Sequence, residues 1–551
     1  MPQVIGAVTQ TNFTNLDWAI VAVYLAGSVA IGLYVRKYIA NMADYVVAGR
    51  GVRTALGVAT LTGTEMGLIT VMYSAEKGFK LGFSAFYIAV ASGVVALLVG
   101  LSGFILCRLR EMKVMTIPEY YERRFGRKTR ILGGIMLVFG GVLNMGLFLK
   151  VGSMFVVGIT GMEHGAALTA VMVVLLGLVL LYTVLGGMVS VVITDYVQFV
   201  VLSFGTILAC ILAVNYVGWQ NIFDTVQSSG GKLLGYVLVE AKHSAEAVEY
   251  KGGFDPVSSL GVEYMIWMLF LGLVNCALWQ TAVMRALAAE STAVVKKQFT
   301  WSSVTFLIRF LLPYFLGICA FVLVMQTPEL KEYFYSSDPA GAGKDRALYA
   351  LPIFLGKILP VGVIGVVTAA MLAAFMSTHD SYLLCWSSVI TQDIVAPLMG
   401  ERLSTKARIT LTRVLILLIG GYILYWGLFY KGTEDIWDYM AVSGAIYFTG
   451  AFALLGCGLY WKRASSTGAV LALLCGFLAI TGLGPVQKAV GLTALFKRIE
   501  EAHGLRMTGE RTSAWIGLGT IVLTLAVMIV GSLLFPDKNP AGQTVPEGEA
   551  R

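Results

Sequence analysis

Long apolar segments recur along almost the whole chain, and short charged or polar stretches separate them. Each segment is close to the ~20 residues that an α-helix needs to cross about 30 Å of hydrocarbon. Of the 551 residues 57% are hydrophobic and only 13% are charged, whereas a soluble domain carries about 25% charged residues. A water-soluble enzyme is therefore excluded as the main body of the protein. The pattern predicts an all-α integral membrane protein whose surroundings are the lipid bilayer.

The apolar segments divide into about thirteen predicted transmembrane helices. Their expected bounds are 17–36, 53–76, 82–108, 129–158, 164–184, 187–216, 261–286, 300–326, 358–386, 408–428, 437–460, 466–483 and 514–535. These spans take up most of the chain, so little of it is left for a second, soluble domain.

Basic residues concentrate in alternate loops. The loop at 108–130 holds eight Lys and Arg residues, and further basic residues follow the seventh, ninth and eleventh spans. With thirteen spans these loops lie on the same side as the C-terminus, and the positive-inside rule makes that side cytoplasmic. We therefore predict a multi-pass protein of the cell membrane with its N-terminus outside and its C-terminus in the cytoplasm. The same loops account for the net charge of +8 without a nucleic-acid partner.

Two predicted spans carry polar residues and glycines in their middle. The span at 53–76 has a glycine on either side of Glu65, and the span at 261–286 contains Asn275. The second of these spans comes five spans after the first. Because five is an odd number, the two five-span halves that begin with them have opposite orientations in the membrane. Paired interrupted helices in inverted halves are typical of transporters with a midplane binding site. Since the sequence has neither metal-ligand spacing nor a nucleophile–His–acid arrangement, we expect a transporter without a cofactor rather than an enzyme.

Three passages together identify a family. They are GGMVSVVITDYVQFVVL at 186–202, MLAAFMSTHDSYLLCWSSVITQDI at 371–394 and MTIPEYYERRFGRKTR at 115–130. With MRALAAES at 284–291 and YVVAGRGV at 45–52, the chain resembles the sodium:solute symporter family over about residues 15–465. The resemblance implies a LeuT-like core of five plus five helices in inverted repeats, with one helix before it and two after it. It also implies import of a small organic solute, driven by sodium, by alternating access.

This resemblance divides the chain into six parts. They are an outer N-terminus with the first helix and a cytoplasmic linker (1–52), the first repeat (53–216), an extracellular loop (217–260), the second repeat (261–460), two accessory helices (461–536) and a short cytoplasmic tail (537–551).

The resemblance also implies a sodium site between the first and eighth core helices. Its ligands are the carbonyl oxygens of Gly63, Met66 and Ala374 and the hydroxyls of Ser377 and Thr378. A broken helix frees carbonyl oxygens, and oxygen ligands replace the water that the ion loses in the bilayer. The alternative is that both hydroxyls bond back to carbonyl oxygens of their own helix.

Two carboxylates are expected on the sodium pathway, because an acidic residue inside a membrane is a functional candidate by default. The resemblance places Asp195 on the exit route and, in some members, at a second sodium site. That second site needs a hydroxyl where Ala374 stands, so one sodium ion per cycle is favoured. Asp195 alternatively pairs with the basic loop at 108–130. Glu65 attracts sodium or a cationic group of the solute, or pairs structurally across the bundle.

Arg309 favours a carboxylate-bearing solute, either an amino acid or an organic acid. It lies near the middle of a span, where an arginine costs at least ~2.5–3.5 kcal/mol, and its planar fork suits a carboxylate. The alternative is that Arg309 pairs with Asp195, Glu65 or a helix C-terminus. The full set of predicted solute-binding residues is Thr70, Ser92, Asn275, Trp279, Gln280, Arg309 and Trp437.

A sodium/sugar symporter is the second candidate. It is weakened because several positions that bind sugar in sugar-transporting relatives carry other residue types here, such as Asn275 in place of a gating tyrosine. A membrane sensor and a proton-coupled carrier are further alternatives. The last of these predicts that alanine at Ser377 and Thr378 leaves transport intact.

Overall fold

The computed structural model describes residues 6, 8–35, 42–162, 165–229, 253–335, 344–400, 402–430, 436–503 and 509–537. Within these ranges nine helices are long and apolar enough to cross a membrane, or ten if a bent pair at 262–288 counts as one span. The prediction of an all-helical membrane protein is confirmed. The number thirteen stays a prediction, as do the six-part division and the orientation of the termini. The centre of the loop at 217–260 and nearly all of the tail at 537–551 lie outside the described residues.

The α-helices are numbered in chain order. The first twelve are α1 (Asn15–Val35), α2 (Met42–Val47), α3 (Thr54–Glu65), α4 (Leu68–Leu81), α5 (Phe86–Ser102), α6 (Leu106–Glu111), α7 (Ile117–Phe125), α8 (Arg127–Met145), α9 (Phe148–Thr160), α10 (Ala166–Val217), α11 (Trp219–Ser228) and α12 (Pro256–Leu260). The others are α13 (Val262–Ala277), α14 (Gln280–Ala288), α15 (Thr292–Gln326), α16 (Pro328–Tyr335), α17 (Ala350–Ile358), α18 (Val363–Val389), α19 (Ala396–Leu398), α20 (Thr405–Phe429), α21 (Ile436–Tyr460), α22 (Ser466–Gly476), α23 (Gly484–Ala489), α24 (Leu492–His503) and α25 (Gly509–Leu534).

Both interruptions that the sequence predicts are present. The first separates α3 from α4 at Met66 (φ −97°, ψ 58°) and Gly67 (φ −70°, ψ 163°), neither of which is helical. The second separates α13 from α14, and the two pieces are bent by 41°. A helix end leaves its last carbonyl groups and first N–H groups without intrahelical partners. Each interruption therefore exposes backbone polar groups in the interior of the bundle.

Glycine residues allow α18 to approach the first interruption closely. A Cβ atom on Gly67 would lie 2.2 Å from Oγ1 of Thr378, and one on Gly63 would lie 3.2 Å from Oγ of Ser377. At Gly67 any side chain would force α18 away from the break, whereas at Gly63 a Cβ atom would make a tight contact. The sequence thus brings the broken helix and the hydroxyls of α18 into direct contact.

Long continuous helices pack around the two broken ones. Helix α15 packs along α4 and α5, and α10 packs along α18. The residues of α10 cover two predicted spans, 164–184 and 187–216, and a kink at the non-helical Gly187 (φ 53°) separates its two parts. Large apolar side chains such as Leu101, Phe204 and Leu418 are exposed on the perimeter of the bundle. That surface suits lipid rather than water.

Candidate functional site

A pocket lies between the two interruptions and is lined by side chains from eight helices of the bundle. Five of the seven predicted solute-binding residues line it: Thr70, Asn275, Trp279, Arg309 and Trp437. Glu65 and Thr378, which the sequence assigns to sodium, line it as well. The two broken helices thus contribute to one shared cavity.

Ser92 and Gln280 do not belong to the lining of this pocket. The Oε1 atom of Gln280 accepts a hydrogen bond from the backbone N–H of Ile117, at 3.0 Å, where α7 begins. Ser92 is buried on α5, and its backbone lies against Gly272. Position along a helix could be inferred from sequence, whereas the direction in which each side chain points could not.

Aromatic side chains that the sequence analysis did not select form much of the pocket wall. Tyr382 accepts a hydrogen bond from Nε1 of Trp279 at 2.9 Å, and its ring lies 5.1 Å from that of Phe148. The rings of Tyr73 and Trp437 lie 4.8 Å apart. Helical spacing was the available signal, because Tyr73 lies three residues after Thr70 and such residues share a helix face.

Arg309 forms an ion pair with Glu65 inside the pocket wall. Its Nη1 atom lies 2.8 Å from Oε2 of Glu65 and 3.2 Å from the backbone oxygen of the same residue. The rings of Phe306 and Phe310 lie 4.0 and 4.6 Å from the guanidinium carbon, an arrangement that favours a cation. Of the alternatives left open for Arg309, the structure shows pairing with Glu65. Because Arg309 also lines the pocket, its binding of a solute carboxylate stays a prediction.

Asp195 forms a second ion pair, with Arg285. The distance from Nη2 of Arg285 to Oδ2 of Asp195 is 3.3 Å, and both side chains are fully buried. The hydroxyls of Thr60 and Ser377 donate to the two carboxylate oxygens at 2.5 Å each. In the described part of the chain Asp195 thus pairs with α14 and not with the basic loop at 108–130, which corrects that alternative.

Arg285 is a central residue that the sequence analysis missed. Its Nη2 atom also donates to the hydroxyls of Thr64 and Ser381 at 2.5 Å, and its Nη1 atom donates to the backbone oxygen of Thr281 at 3.1 Å. A charged residue at the end of an apolar span was the available signal, but it was used only as part of the motif at 284–291.

The two candidate sodium-binding hydroxyls bond across helices. Ser377 donates to Asp195, and Thr378 donates to the backbone oxygen of Thr64 at 3.1 Å. The alternative that both hydroxyls bond to carbonyl oxygens of their own helix does not describe this structure. Each hydroxyl oxygen keeps lone pairs that a cation can use.

The five predicted sodium ligands come from two places. Gly63 and Met66 lie at the end of α3 and in the break, and Ala374 lies one turn before Ser377 on α18. Direct contacts join the two elements, since the Gly63 backbone lies against the Ser377 hydroxyl. Carbonyl and hydroxyl oxygens of this kind are the ligands that hard cations prefer.

A third charged cluster adjoins the pocket and was also missed. Nζ of Lys77 lies 4.0 Å from Oδ2 of Asp438 and 3.8 Å from Oε1 of Glu510, and Tyr264 donates to Asp438 at 3.1 Å. Asp438 follows the pocket residue Trp437 directly. The cluster connects α4, α13 and α21 with α25, the last of the described helices.

Two broken helices that meet at a buried polar pocket, in an otherwise continuous helical bundle, define a membrane transporter with a midplane site. The fold is similar to that of a sodium-coupled sialic acid symporter in its substrate-bound, outward-open state, with a TM-score of 0.73, 20% identity and coverage of 96% of this chain and 100% of that one. A nucleobase-cation-symport-1 family transporter gives a TM-score of 0.52 at 13% identity, over 89% of this chain and 95% of its own. These similarities confirm the LeuT-like fold class.

Sequence comparisons agree with the fold. The sodium/glucose cotransporter of Vibrio parahaemolyticus is 24% identical over 83% of each chain. The sodium/proline symporter of Haemophilus influenzae is 25% identical, over 91% of this chain and 93% of its own. The model of the sodium:solute symporter family matches residues 45–476.

The chain belongs to the sodium:solute symporter family. It is accordingly a multi-pass membrane protein that couples the movement of a solute to sodium, in a family that consists of transporters. The relatives include symporters for glucose, sialic acid, proline and myo-inositol. Their variety leaves the solute of this chain to be inferred from its own pocket.

Proposed function

We propose that this protein imports a small carboxylate-bearing solute, an amino acid or an organic acid, together with one sodium ion per cycle. The observation that carries the choice of solute is the buried Arg309 in the pocket wall. A guanidinium group binds a carboxylate through two parallel hydrogen bonds, which gives both affinity and orientation. An inward sodium gradient makes the direction of transport inward.

The proposed sodium site consists of the carbonyl oxygens of Gly63, Met66 and Ala374 and the hydroxyls of Ser377 and Thr378. Its support is the break in the helix at Met66 and the direct approach of α18 to that break. The negative charges of Glu65 and Asp195 nearby would offset the cost of placing a cation inside the bundle.

A stoichiometry of one sodium ion is supported by the surroundings of Asp195. Both carboxylate oxygens already accept hydrogen bonds, and Arg285 supplies a positive charge at 3.3 Å. Ala374 has no hydroxyl to add to a second site. One ion entering through ~100 mV gains about 2.3 kcal/mol, and a tenfold gradient adds about 1.4 kcal/mol. Together these support roughly 500-fold accumulation of a neutral or zwitterionic solute.

The test is uptake by purified protein in liposomes. We expect an inward sodium gradient to drive accumulation of at least one carboxylate from a panel of proline, sialic acid and pyruvate. Glucose and myo-inositol are the neutral controls, and replacing sodium with potassium should abolish uptake. Arg309→Ala should lose carboxylate uptake, and the sodium dependence should have a Hill coefficient near one.

Two results would overturn parts of this proposal. Accumulation of glucose or myo-inositol alone would favour the sugar symporter and remove the role of Arg309 in solute binding. Uptake that follows a proton gradient, and that survives alanine at Ser377 and Thr378, would favour a proton-coupled carrier and remove the sodium site.

A further inference from the structure

One carboxylate, that of Glu65, adjoins both proposed sites. Its neighbour Met66 is a proposed sodium ligand, and the backbone oxygen of Thr64 accepts a hydrogen bond from Thr378, another proposed ligand. On its other side the Glu65 carboxylate lies 2.8 Å from Nη1 of Arg309, the proposed solute anchor. Glu65 and Arg309 are the charged residues among those that line the pocket. A single ion pair thus separates the place for the ion from the place for the solute.

Arg309 is already engaged by an internal carboxylate. Its Nη1 atom bonds to the side chain and the backbone oxygen of Glu65, while Phe306 and Phe310 hold the plane of the guanidinium group. Nε of Arg309 is buried and has no hydrogen-bond partner within the described ranges. Because Nε is buried, a solute carboxylate can make two hydrogen bonds only through Nη1 and Nη2, and it must therefore compete with Glu65 for Nη1. Winning would leave a buried carboxylate without its partner. Such an unpaired charge is strongly unfavourable.

A sodium ion beside Glu65 removes that penalty, because it supplies the positive charge that Arg309 gives up. We propose that Glu65 and Arg309 form a sodium-operated switch: sodium draws the Glu65 carboxylate away from Arg309, and the released guanidinium group then binds the carboxylate of the solute. This switch rests on the proposed function and explains how the two ligands are coupled. Glu65 acts here as a positioning residue, since it frees another side chain and does not itself hold the solute.

The second buried pair has no comparable freedom. Asp195 is fixed by Thr60 and Ser377, and Arg285 by Thr64 and Ser381. By contrast, the one hydroxyl bonded to the Glu65 carboxylate is that of Thr281, at 3.3 Å, among the bonds that the structure describes. The weaker surroundings of Glu65 allow it to change partner at a lower cost.

The switch predicts reciprocal coupling. Sodium should raise the affinity for the carboxylate, and the carboxylate should raise the affinity for sodium by the same factor, because the two binding steps are linked. Coupling of this kind typically amounts to about 5–150-fold. Without sodium, Arg309 stays with Glu65 and carboxylate binding is weak.

The first experiment needs only sodium. Binding is measured by the thermal stability of the purified protein while sodium replaces potassium at constant ionic strength. Arg309→Gln leaves Glu65 free for the ion and should raise the sodium affinity about fivefold or more, whereas Glu65→Gln should lower it. Arg130→Gln is the matched control, because it removes another buried arginine, paired with Asp393 at 2.9 Å. It should lower stability without changing sodium affinity.

The double variant separates the switch from simple charge repulsion. In the Glu65→Gln background, Arg309→Gln should no longer change sodium affinity, because the pair that it breaks is already absent. A rise of the same size in that background would show that Arg309 merely repels the ion, and it would overturn the switch. If Arg309→Gln fails to fold, Glu65→Gln carries the test alone, and an unchanged sodium affinity in that variant would overturn the switch.

The second experiment uses proline, sialic acid and pyruvate, each compared in sodium and in potassium. In the wild-type protein the binding of one of them should strengthen about tenfold in sodium. In Glu65→Gln the same carboxylate should bind equally well in both salts, because Arg309 is always free. If the variant still needs sodium, the switch is wrong while the symporter proposal stands. If the wild-type protein binds no carboxylate in either salt, the proposed solute class itself is wrong.

Discussion

Two buried arginine–carboxylate pairs occupy the centre of this transporter, and their surroundings differ sharply. Asp195 and Arg285 are fully enclosed, and four hydroxyl groups hold them in place. Glu65 and Arg309 line the pocket, and the described residues give the Glu65 carboxylate one hydroxyl partner. The same two chemical groups therefore serve as a fixed support in one place and as an exchangeable contact in the other.

The comparison shows how one bundle can combine rigidity with response. The Asp195 pair supports Ser377, a proposed sodium ligand, and ties α10 to α14 and α18. The Glu65 pair lies at the end of α3, where the helix stops and the chain has fewer internal bonds. A site that must bind and release its ligands needs such a weakly held element next to a strongly held one.

The largest expected effect comes from breaking the enclosed pair. Arg285→Ala leaves Asp195 buried without its positive partner, which costs about 3–5 kcal/mol of unfolding free energy. Arg309→Ala should cost less, because Glu65 lies at a pocket that water or sodium can enter. Thermal unfolding in detergent, in sodium and in potassium, measures both. Equal losses of stability for the two variants would remove the distinction between the pairs.

A smaller effect should follow from removing single hydroxyls. Thr60→Val deletes a bond of 2.5 Å to the Asp195 carboxylate and should cost about 1.5–3 kcal/mol, as bonds to charged groups do. Thr281→Val deletes a bond of 3.3 Å to Glu65, and its effect on stability should be clearly smaller. The two variants are matched in residue type and size. A larger loss for Thr281→Val would show that the Glu65 pair is the more rigid one.

The sequence was most informative where local chemistry decides the structure. Glycines around a carboxylate inside an apolar segment interrupt a helix for local reasons, so the break at Met66 was predictable. The kink at the non-helical Gly187 in α10 likewise falls where the predicted spans 164–184 and 187–216 meet. Family resemblance supplied the candidate sodium ligands, but it did not show which groups they hydrogen-bond to.

The sequence could not determine which charged side chains of the site pair with each other. Arg309 and Glu65 are 244 positions apart, so three candidate partners stayed open until the helices were placed. Arg285 was overlooked because it was counted as part of a motif and not weighed as a buried charge. Ser92 was carried over from a position in sugar-transporting relatives, and Gln280 was selected as a plausible lining residue, but neither side chain belongs to the pocket lining.

The smallest expected effect concerns a hydrogen bond in the pocket wall, at the second helix interruption. Trp279 donates from Nε1 to the hydroxyl of Tyr382 at 2.9 Å, between the break and α18. Trp279→Phe and Tyr382→Phe each remove this neutral bond, which is worth about 0.5–1.5 kcal/mol. Because both residues line the pocket, we expect each variant to change solute affinity several-fold while sodium affinity stays nearly constant.

A double variant tests whether this bond acts as one unit. Trp279→Phe combined with Tyr382→Phe should cost little more than either change alone, since both remove the same contact. Stability is measured by thermal unfolding. Affinity is measured by the sodium-dependent binding of whichever of proline, sialic acid and pyruvate the wild-type protein binds. If the two losses simply add, the residues act independently, and the second break is not fastened to α18 by this bond. If sodium affinity falls as much as solute affinity, the pocket wall and the sodium site respond as one body. The part of the site that responds to ligands would then include, in addition to Glu65 and Arg309, the whole face of α18 that contacts both breaks.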